Sequence, residues 1–491
     1  MKKNMVGIYF VLWTVVILPS LITAAPLDEY VYTTDPYYHF TEISATKGPG
    51  YTLYLYNMTS LKWKSETFSD HSIWWHTLEI TIPDKLIHKD TALLVISGGH
   101  NSEKQFTNDN GFETNITTSI ALSTGSICAN LGMIPNQPIV FKADPKQKSR
   151  SEDWVVAWTW EQFIQKNGTD PEILVEFPMT KASVRALDTI AAVAMDKVNV
   201  DVNKFFLFGA SKRGWASWLT AAVDKRVVGF APVVMDLLNF VKNLHHHYRS
   251  LGGWTFAFDA YYQVKFTADL DNPYTQKMAT YIDPLAYSDR YTSVPKMIIT
   301  TAGDEFFLPD DSHYYYDQLD GPKYLRIVPN AEHSLVGHKI DVIHSIEAFY
   351  LSILKNTERP KLYWTRELTS SGGRITLHTN IKPKTVEAKF AVTLDNKRRD
   401  FRLLVATPGD STKPCPHPVI WFSDSVKNLG NNTFIAEFDD PFLGRWLAFY
   451  IEVTFEGLNG FTQKYTTEAQ IIPDVFPFPD CHGKGCLGTL V

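Results

Sequence analysis

One long apolar run stands at the extreme N-terminus, and no later stretch reaches the roughly 20 residues that a membrane-spanning helix needs. No membrane anchor is expected in the body of the chain. There is no basic block either: 47 Lys and Arg against 53 Asp and Glu give a formal net charge of −6 with the signs mixed. Without a positive patch to meet phosphates, neither nucleic acid nor anionic lipid is an expected partner. Low-complexity tracts and internal repeats are absent, and 44% hydrophobic content sets aside a disordered chain. Cysteine is scarce, at four residues. A zinc site built from Cys481, Cys486 and His482 would lack a nearby fourth ligand, so no metal or other cofactor is expected.

At 491 residues the chain is long enough for two domains. Lys2 and Lys3 precede apolar residues from Met5 to Leu18, Pro19 breaks the run, and small residues follow at Thr23, Ala24 and Ala25. That layout predicts a secretory signal peptide, cut after Ala24 or Ala25, and a secreted, extracellular product. Four sequons, at Asn57, Asn115, Asn167 and Asn431, become candidate glycan sites in a secretory pathway. The even set Cys128, Cys415, Cys481 and Cys486 allows two disulfides in an oxidising compartment, with Cys481 and Cys486 expected to close the loop CHGKGC.

Two regimes of periodicity follow. From about 88 to 356, β-branched and aromatic runs alternate with helical segments, which predicts an α/β architecture with a mostly parallel sheet. The expected strands are 92–97, 205–209, 229–234, 296–301 and 324–328, and the clearest helices are 182–195 and 340–354. The segments GYTLYLYNMTSLKW and SIWWHTLEITIP read as further strands, with a turn near Asn57. From about 362 the period becomes two, and strands at 388–394, 401–405, 418–422, 433–438 and 446–455 predict an antiparallel β-sandwich.

Within the α/β part, GASKRGWASW follows the apolar run 205–208 and reads as a strand turning sharply into a helix. A nucleophile at such a turn needs small neighbours, and the N–H after it faces a developing oxyanion. Gly209 supplies one small residue before Ser211. On the other side Arg213 stands where the second glycine of G-x-S-x-G would be, and Gly214 comes one later. Partners follow in the chain order this architecture predicts: Asp304 just past strand 296–301 and His333 in the loop after strand 324–328. Asp310 and Asp311 are rival acids, but they lie behind a proline, and Glu305 is expected to point elsewhere. His333 would take the Ser211 proton while Asp304 orients it. Gly98 and Gly99, after an early strand, are candidates for the loop with a second oxyanion donor. Singly, each of these residues reads as a helix cap, a strand-end turn or an exposed loop side chain.

The run GASKRGWASWLTAAVDKRVVGFAPVVMDLLN, with EDWVVAWTWEQF, EFPMTKASVRALD, GGWTFAFDAYY, TTAGDEFFLPDDS and NAEHSL in the same order, resembles the PhoPQ-activated pathogenicity-related protein family. The resemblance implies an α/β-hydrolase fold related to peptidases and esterases, and, in a secreted eukaryotic branch, a signalling role in repressing cell proliferation. It also implies a variant elbow in which Lys212 adds positive charge near the oxyanion, while Arg213 is assigned to a structural ion pair. The organisation expected is a signal peptide at 1–24, an α/β-hydrolase domain at 25–360, a sandwich at 361–475 and a Cys-containing tail at 476–491. An aromatic helical lid is expected at about 235–294, carrying Trp254, Phe256, Tyr261 and Tyr262. His245, His246 and His247 within it cannot all face one ion from a helix. Two functions of different class remain: a serine hydrolase acting on a peptide or ester, and a catalytically silent signalling protein that binds a cell-surface receptor.

Overall fold

The computed structural model describes residues 25–101 and 111–491, so the expected signal peptide lies outside the described residues. Among the described residues nine strands form one mixed sheet: β1 (His39–Gly48), β2 (Tyr51–Lys62), β3 (Ile73–Pro83), β4 (His88–Ile96), β5 (Ser126–Leu131), β6 (Lys204–Ala210), β7 (Val227–Val233), β8 (Lys296–Thr301) and β9 (Lys323–Val328). Their spatial order is β1-β2-β3-β5-β4-β6-β7-β8-β9. The first three strands pair antiparallel, and the pairings from β5 across to β9 are parallel.

Parallel strands are covered on both faces, and their composition shows it. In β4, Ala92, Leu94 and Ile96 enter one core while Leu93 and Val95 enter the other. Helices α1 (Pro26–Tyr32), α3 (Asp153–Gln165), α4 (Glu176–Val198), α5 (Lys212–Val223), α6 (Phe240–Leu251), α7 (Asp259–Gln263) and α8 (Pro273–Ile282) contribute to the first core, and α2 (Phe112–Thr124) and α9 (Lys339–Leu354) to the second. In α9, Ile346, Phe349 and Tyr350 are buried, whereas Ile340 in its first turn is exposed. An antiparallel start, a parallel body and a strand-to-helix elbow after central β6 make this the α/β-hydrolase fold.

The turn expected near Asn57 does not form. β2 runs straight through Asn57, which pairs with Thr41 on one side and Thr77 on the other, because the alternation of YTLYLYNMTSLK continues across it. Asn57 is half-buried with its Oδ1 lacking a partner, whereas Asn115, Asn167 and Asn431 are exposed.

Beyond α9 two antiparallel sheets face each other. One contains Leu362–Leu368, Gly372–Thr379, Thr433–Asp439 and Lys427–Gly430; the other is built on Leu447–Glu456 and Thr385–Val392. Phe438 of the first meets Phe449 and Phe390 of the second at ring distances of 4.9 and 5.0 Å, so inner faces interdigitate as in a sandwich. Two expected strands shift. Asp400 and Arg402 form a buried ion pair at 2.6 Å, with Arg402 N–H also donating to Asp400, which holds a turn and delays the strand to Leu404–Thr407. Pro418 has no N–H to give a ladder, and pairing begins only at Phe422–Ser425.

One disulfide is present, Cys481 to Cys486. The second bond that an even count allows is not. Cys128 is fully buried on β5 against Ser126, and Cys415 lies on a hairpin of the C-terminal region, each as a free thiol. The bond that does form removes both sulfurs from any zinc site with His482.

At the start of α4, Glu176 is buried with one oxygen accepting from Trp160 Nε1 at 2.8 Å and the other unpartnered. Burial pushes this carboxyl up to about 7. The folded protein therefore keeps the proton between the ordinary carboxyl range and about pH 7, while the unfolded chain has lost it. Stability contributed at this site falls as pH rises through that window. Glu176→Gln is expected to remove the slope, gaining about 2–3 kcal/mol relative to wild type between pH 5 and pH 8. Urea denaturation of both proteins at the two pH values checks this.

Candidate active site

Ser211 sits between β6 and α5 with φ 56° and ψ −130°, a conformation that costs on the order of 1–3 kcal/mol for a non-glycine residue. Two backbone bonds fix it: Ser211 N–H donates to Val233 O at 2.8 Å, and Trp215 N–H donates to Ser211 O at 3.1 Å. The glycines fall where space demands them. A Cβ on Gly209 would stand 2.6 Å from the Arg213 carbonyl oxygen, and one on Gly214 would meet Met235 Cβ at 2.8 Å and Gly209 O at 3.1 Å. Position 213 needs no glycine, because its side chain turns away to Glu152. Gly214→Ala is expected to cost about 1–3 kcal/mol by overpacking, read as a lower denaturation midpoint.

From Ser211 a continuous hydrogen-bonded chain runs inward. Its Oγ lies 3.0 Å from His333 Nε2, and His333 Nδ1 lies 2.9 and 3.0 Å from the two Asp304 oxygens. Asp304 is held in turn by the Phe306 and Phe307 N–H groups at 2.8 and 3.3 Å and by the Thr301 hydroxyl at 3.2 Å. Burial works against a charged His333, but the Asp304 charge and hydrogen bond, with Glu305 adding, hold its pKa above the ordinary value. The rival acids are engaged elsewhere. Asp310 pairs with Arg399 at 2.7 Å and His246 at 3.0 Å, and Asp311 accepts from Leu308 N–H.

Glu305 does not point away, as its sequence position suggested. Its carboxylate accepts the His333 backbone N–H at 3.1 Å, tying the acid loop to the histidine loop. A second carboxylate not foreseen is Asp236, just beyond β7. Burial and then the nearby Asp304 charge push its pKa well above the ordinary carboxyl range. The available cue was its position: VVMD places an acid just past a strand, as AGD does.

Lys212 does not present a free charge. Its Nζ bonds Glu152 at 2.7 Å and lies 3.4 Å from Asp153, and the side chain is only 7% exposed. Arg213 grips the same Glu152 bidentately at 2.7 and 2.6 Å and donates from Nε to Ile134 O. Glu152 shares the Ser211 backbone conformation, at φ 55° and ψ −132°, and its N–H donates to the Gln137 side chain at 2.6 Å. Gln137 Nε2 reaches Gly99 O at 3.3 Å. One carboxylate thus fastens the serine elbow to the Gly98–Gly99 loop. Gly98 must lack a side chain for this, since a Cβ would stand 2.7 Å from the Arg213 guanidinium. Glu152 was not among the expected site residues, although two adjacent cations at a buried elbow call for an anion.

Two cavities meet at Ser211. One, of about 320 Å³, is lined by Gly98, Arg213 and His333 together with residues of α2 and α9. The other, of about 40 Å³, is apolar and is roofed by Leu244, Trp254, Phe258, Tyr261 and Phe266 of the 235–294 segment. The three consecutive histidines there take separate partners. His245 bonds Asp271 and Asp480, His246 bonds Asp310, and His247 stacks against the Trp254 and Phe258 rings.

The chain matches the model of the PhoPQ-activated pathogenicity-related protein family over residues 27–402. It is 35% identical over 483 residues to autocrine proliferation repressor protein A of Dictyostelium discoideum, covering 96% of this chain and 95% of that protein. Among solved structures it is similar to an acetyl xylan esterase from Paenibacillus sp. R4, with 16% identity, a TM-score of 0.45, and coverage of 66% of this chain and 92% of that one. A glucuronoyl esterase from Solibacter usitatus gives 13% identity, a TM-score of 0.38, and coverage of 66% and 86%. A match spanning most of the chain and an identity of this size over nearly its whole length place the protein in the PhoPQ-activated pathogenicity-related protein family.

Proposed function

We propose that the chain is a secreted serine hydrolase that cleaves an ester or peptide bond through Ser211, His333 and Asp304. The observation that carries this reading is the unbroken hydrogen-bonded chain from Ser211 Oγ through His333 to Asp304. In the first half-reaction Ser211 Oγ bonds to the substrate carbonyl carbon as His333 Nε2 takes its proton. Collapse breaks the bond to the leaving alcohol or amine, which receives that proton from His333. Water then attacks the acyl-serine, His333 again relaying the proton, and the carboxylic acid leaves with Ser211 restored. The Lys212 backbone N–H, at the open start of α5, and an N–H of the Gly98–Gly99 loop are the donors assigned to the oxyanion. Asp304 keeps the imidazole tautomer and stabilises the imidazolium. The test is turnover by the purified full-length protein. Hydrolysis of an activated ester or amide, abolished by a fluorophosphonate, is expected; folded protein that hydrolyses neither class contradicts the reading.

A second reading rests on the 35% identity to a protein named as an autocrine proliferation repressor. In it the chain is an extracellular signal that slows cell proliferation by engaging a receptor, with or without turnover. Added Ser211→Ala protein separates the two. Unchanged growth suppression fits a silent ligand, whereas its loss from a folded variant ties the signal to hydrolysis.

A further inference from the structure

If the chain is a hydrolase, as proposed above, the two cavities at Ser211 differ in a way that selects among its substrates. His333 lines only the larger cavity. A leaving group must lie against His333 to receive its proton, so it occupies that side. The acyl part is then directed into the smaller cavity under the 235–294 segment. That cavity, of about 40 Å³ against about 320 Å³ for the other, is the tighter of the two, so the acyl part is the more confined half of the substrate.

Its chemistry is equally restrictive. The walls are aromatic and aliphatic, among them Trp160, Trp254, Phe258 and Leu270. The charged groups on its rim, Lys212 and Asp153, are spent on each other and on Glu152, and Tyr261 hydroxyl donates to Asp153 at 3.1 Å. Among the described residues that line it, an incoming ammonium or carboxylate finds no unpaired charged partner and would carry its desolvation cost uncompensated. The roof is also braced from outside. Trp254 N–H donates to Thr489 O at 2.8 Å, Val491 N–H returns to Trp254 O at 2.8 Å, and Trp254 Nε1 donates to Cys486 O at 2.8 Å. The C-terminal tail thereby fixes the cavity's depth.

We infer that the substrate is a carboxylic ester whose acyl group is short and uncharged, seated under the braced roof, with its alcohol part in the larger cavity. The reaction transfers this acyl group to Ser211 Oγ, releases the alcohol with the proton from His333, and ends when water takes the acyl group as the free acid. The chemistry disfavours peptide substrates with a bulky or charged residue on the acyl side.

The experiment uses the full-length mature protein and p-nitrophenyl esters of two, four, eight and twelve carbons. Dipeptidyl p-nitroanilides with small and large side chains are run beside them, and each kcat/KM is divided by the spontaneous hydrolysis rate. Parallel samples are labelled with a fluorophosphonate. The expected result is a maximum at two to four carbons, at least tenfold above eight carbons and above each anilide. Leu270→Ala, which deepens the cavity, is expected to move the maximum toward longer chains. A maximum at eight carbons or beyond, a preferred anilide, or no ester turned over, with Ser211 still labelled, overturns the inference and leaves the hydrolase reading standing. Absence of any label on folded wild type overturns both. The wild-type series decides even if Leu270→Ala fails to fold.

Discussion

Ser211→Ala is expected to lower kcat by about 10⁴- to 10⁶-fold while leaving the protein folded. The Ser211 hydroxyl makes its hydrogen bond to His333 and the side chain carries no core packing, so removing it costs about 1 kcal/mol or less of stability. The unusual backbone angles at position 211 are fixed by bonds to Val233 and Trp215 that the variant keeps. Residual activity over water is expected from the oxyanion donors and binding alone. Steady-state kinetics with a melting curve on the same sample check both halves. A variant that retains a tenth of wild-type kcat would remove Ser211 from the chemistry.

Asp304→Asn is expected to cost about 10⁴-fold in kcat near neutral pH. Asparagine fits the same space, but its amide can offer a donor where Asp304 offers only acceptors, and it favours the wrong histidine tautomer. The pH profile gives an independent signature. The proposed mechanism needs neutral His333, whose pKa is raised in the wild type despite burial because of Asp304 and then Glu305. Wild-type kcat/KM is therefore lost as pH falls through a value above the ordinary imidazole range of about 6.5. Without the Asp304 charge, the imidazolium loses its main support, and the acid limb of Asp304→Asn is expected to move to lower pH. A limb that stays in place would mean that another group sets the His333 charge.

How much of this site was legible depends on what each residue relies upon. Ser211, Asp304 and His333 stand at strand ends, and strand ends are readable from periodicity; chain order then linked them without any knowledge of distance. The departure at Arg213 looked like a defect in the elbow. Its cause is local packing: the close approaches at Gly209 and Gly214 require glycine, and position 213 faces out toward Glu152. The roles of Glu152, Glu305 and Asp236 depend on segments far apart in sequence, and nothing in their own neighbourhoods announces the partner. The same holds for Lys212, whose charge looked available until Glu152 and Asp153 were brought beside it. In the sandwich the alternating runs were readable, whereas a turn made by the Asp400–Arg402 ion pair was not, because it replaces ladder bonds with side-chain bonds. The thiols show the limit of counting: four cysteines suggested two bonds, but Cys128 belongs to the sheet core and forms no bond to another cysteine.

The most direct test of Ser211 as the activated nucleophile is peptide mapping by mass spectrometry after treating the folded protein with a fluorophosphonate. A single phosphonyl adduct on the peptide carrying Ser211, sharply reduced in His333→Ala, is the predicted result. An unmodified Ser211 peptide in active, folded wild type, or an adduct that forms equally well without His333, would contradict it.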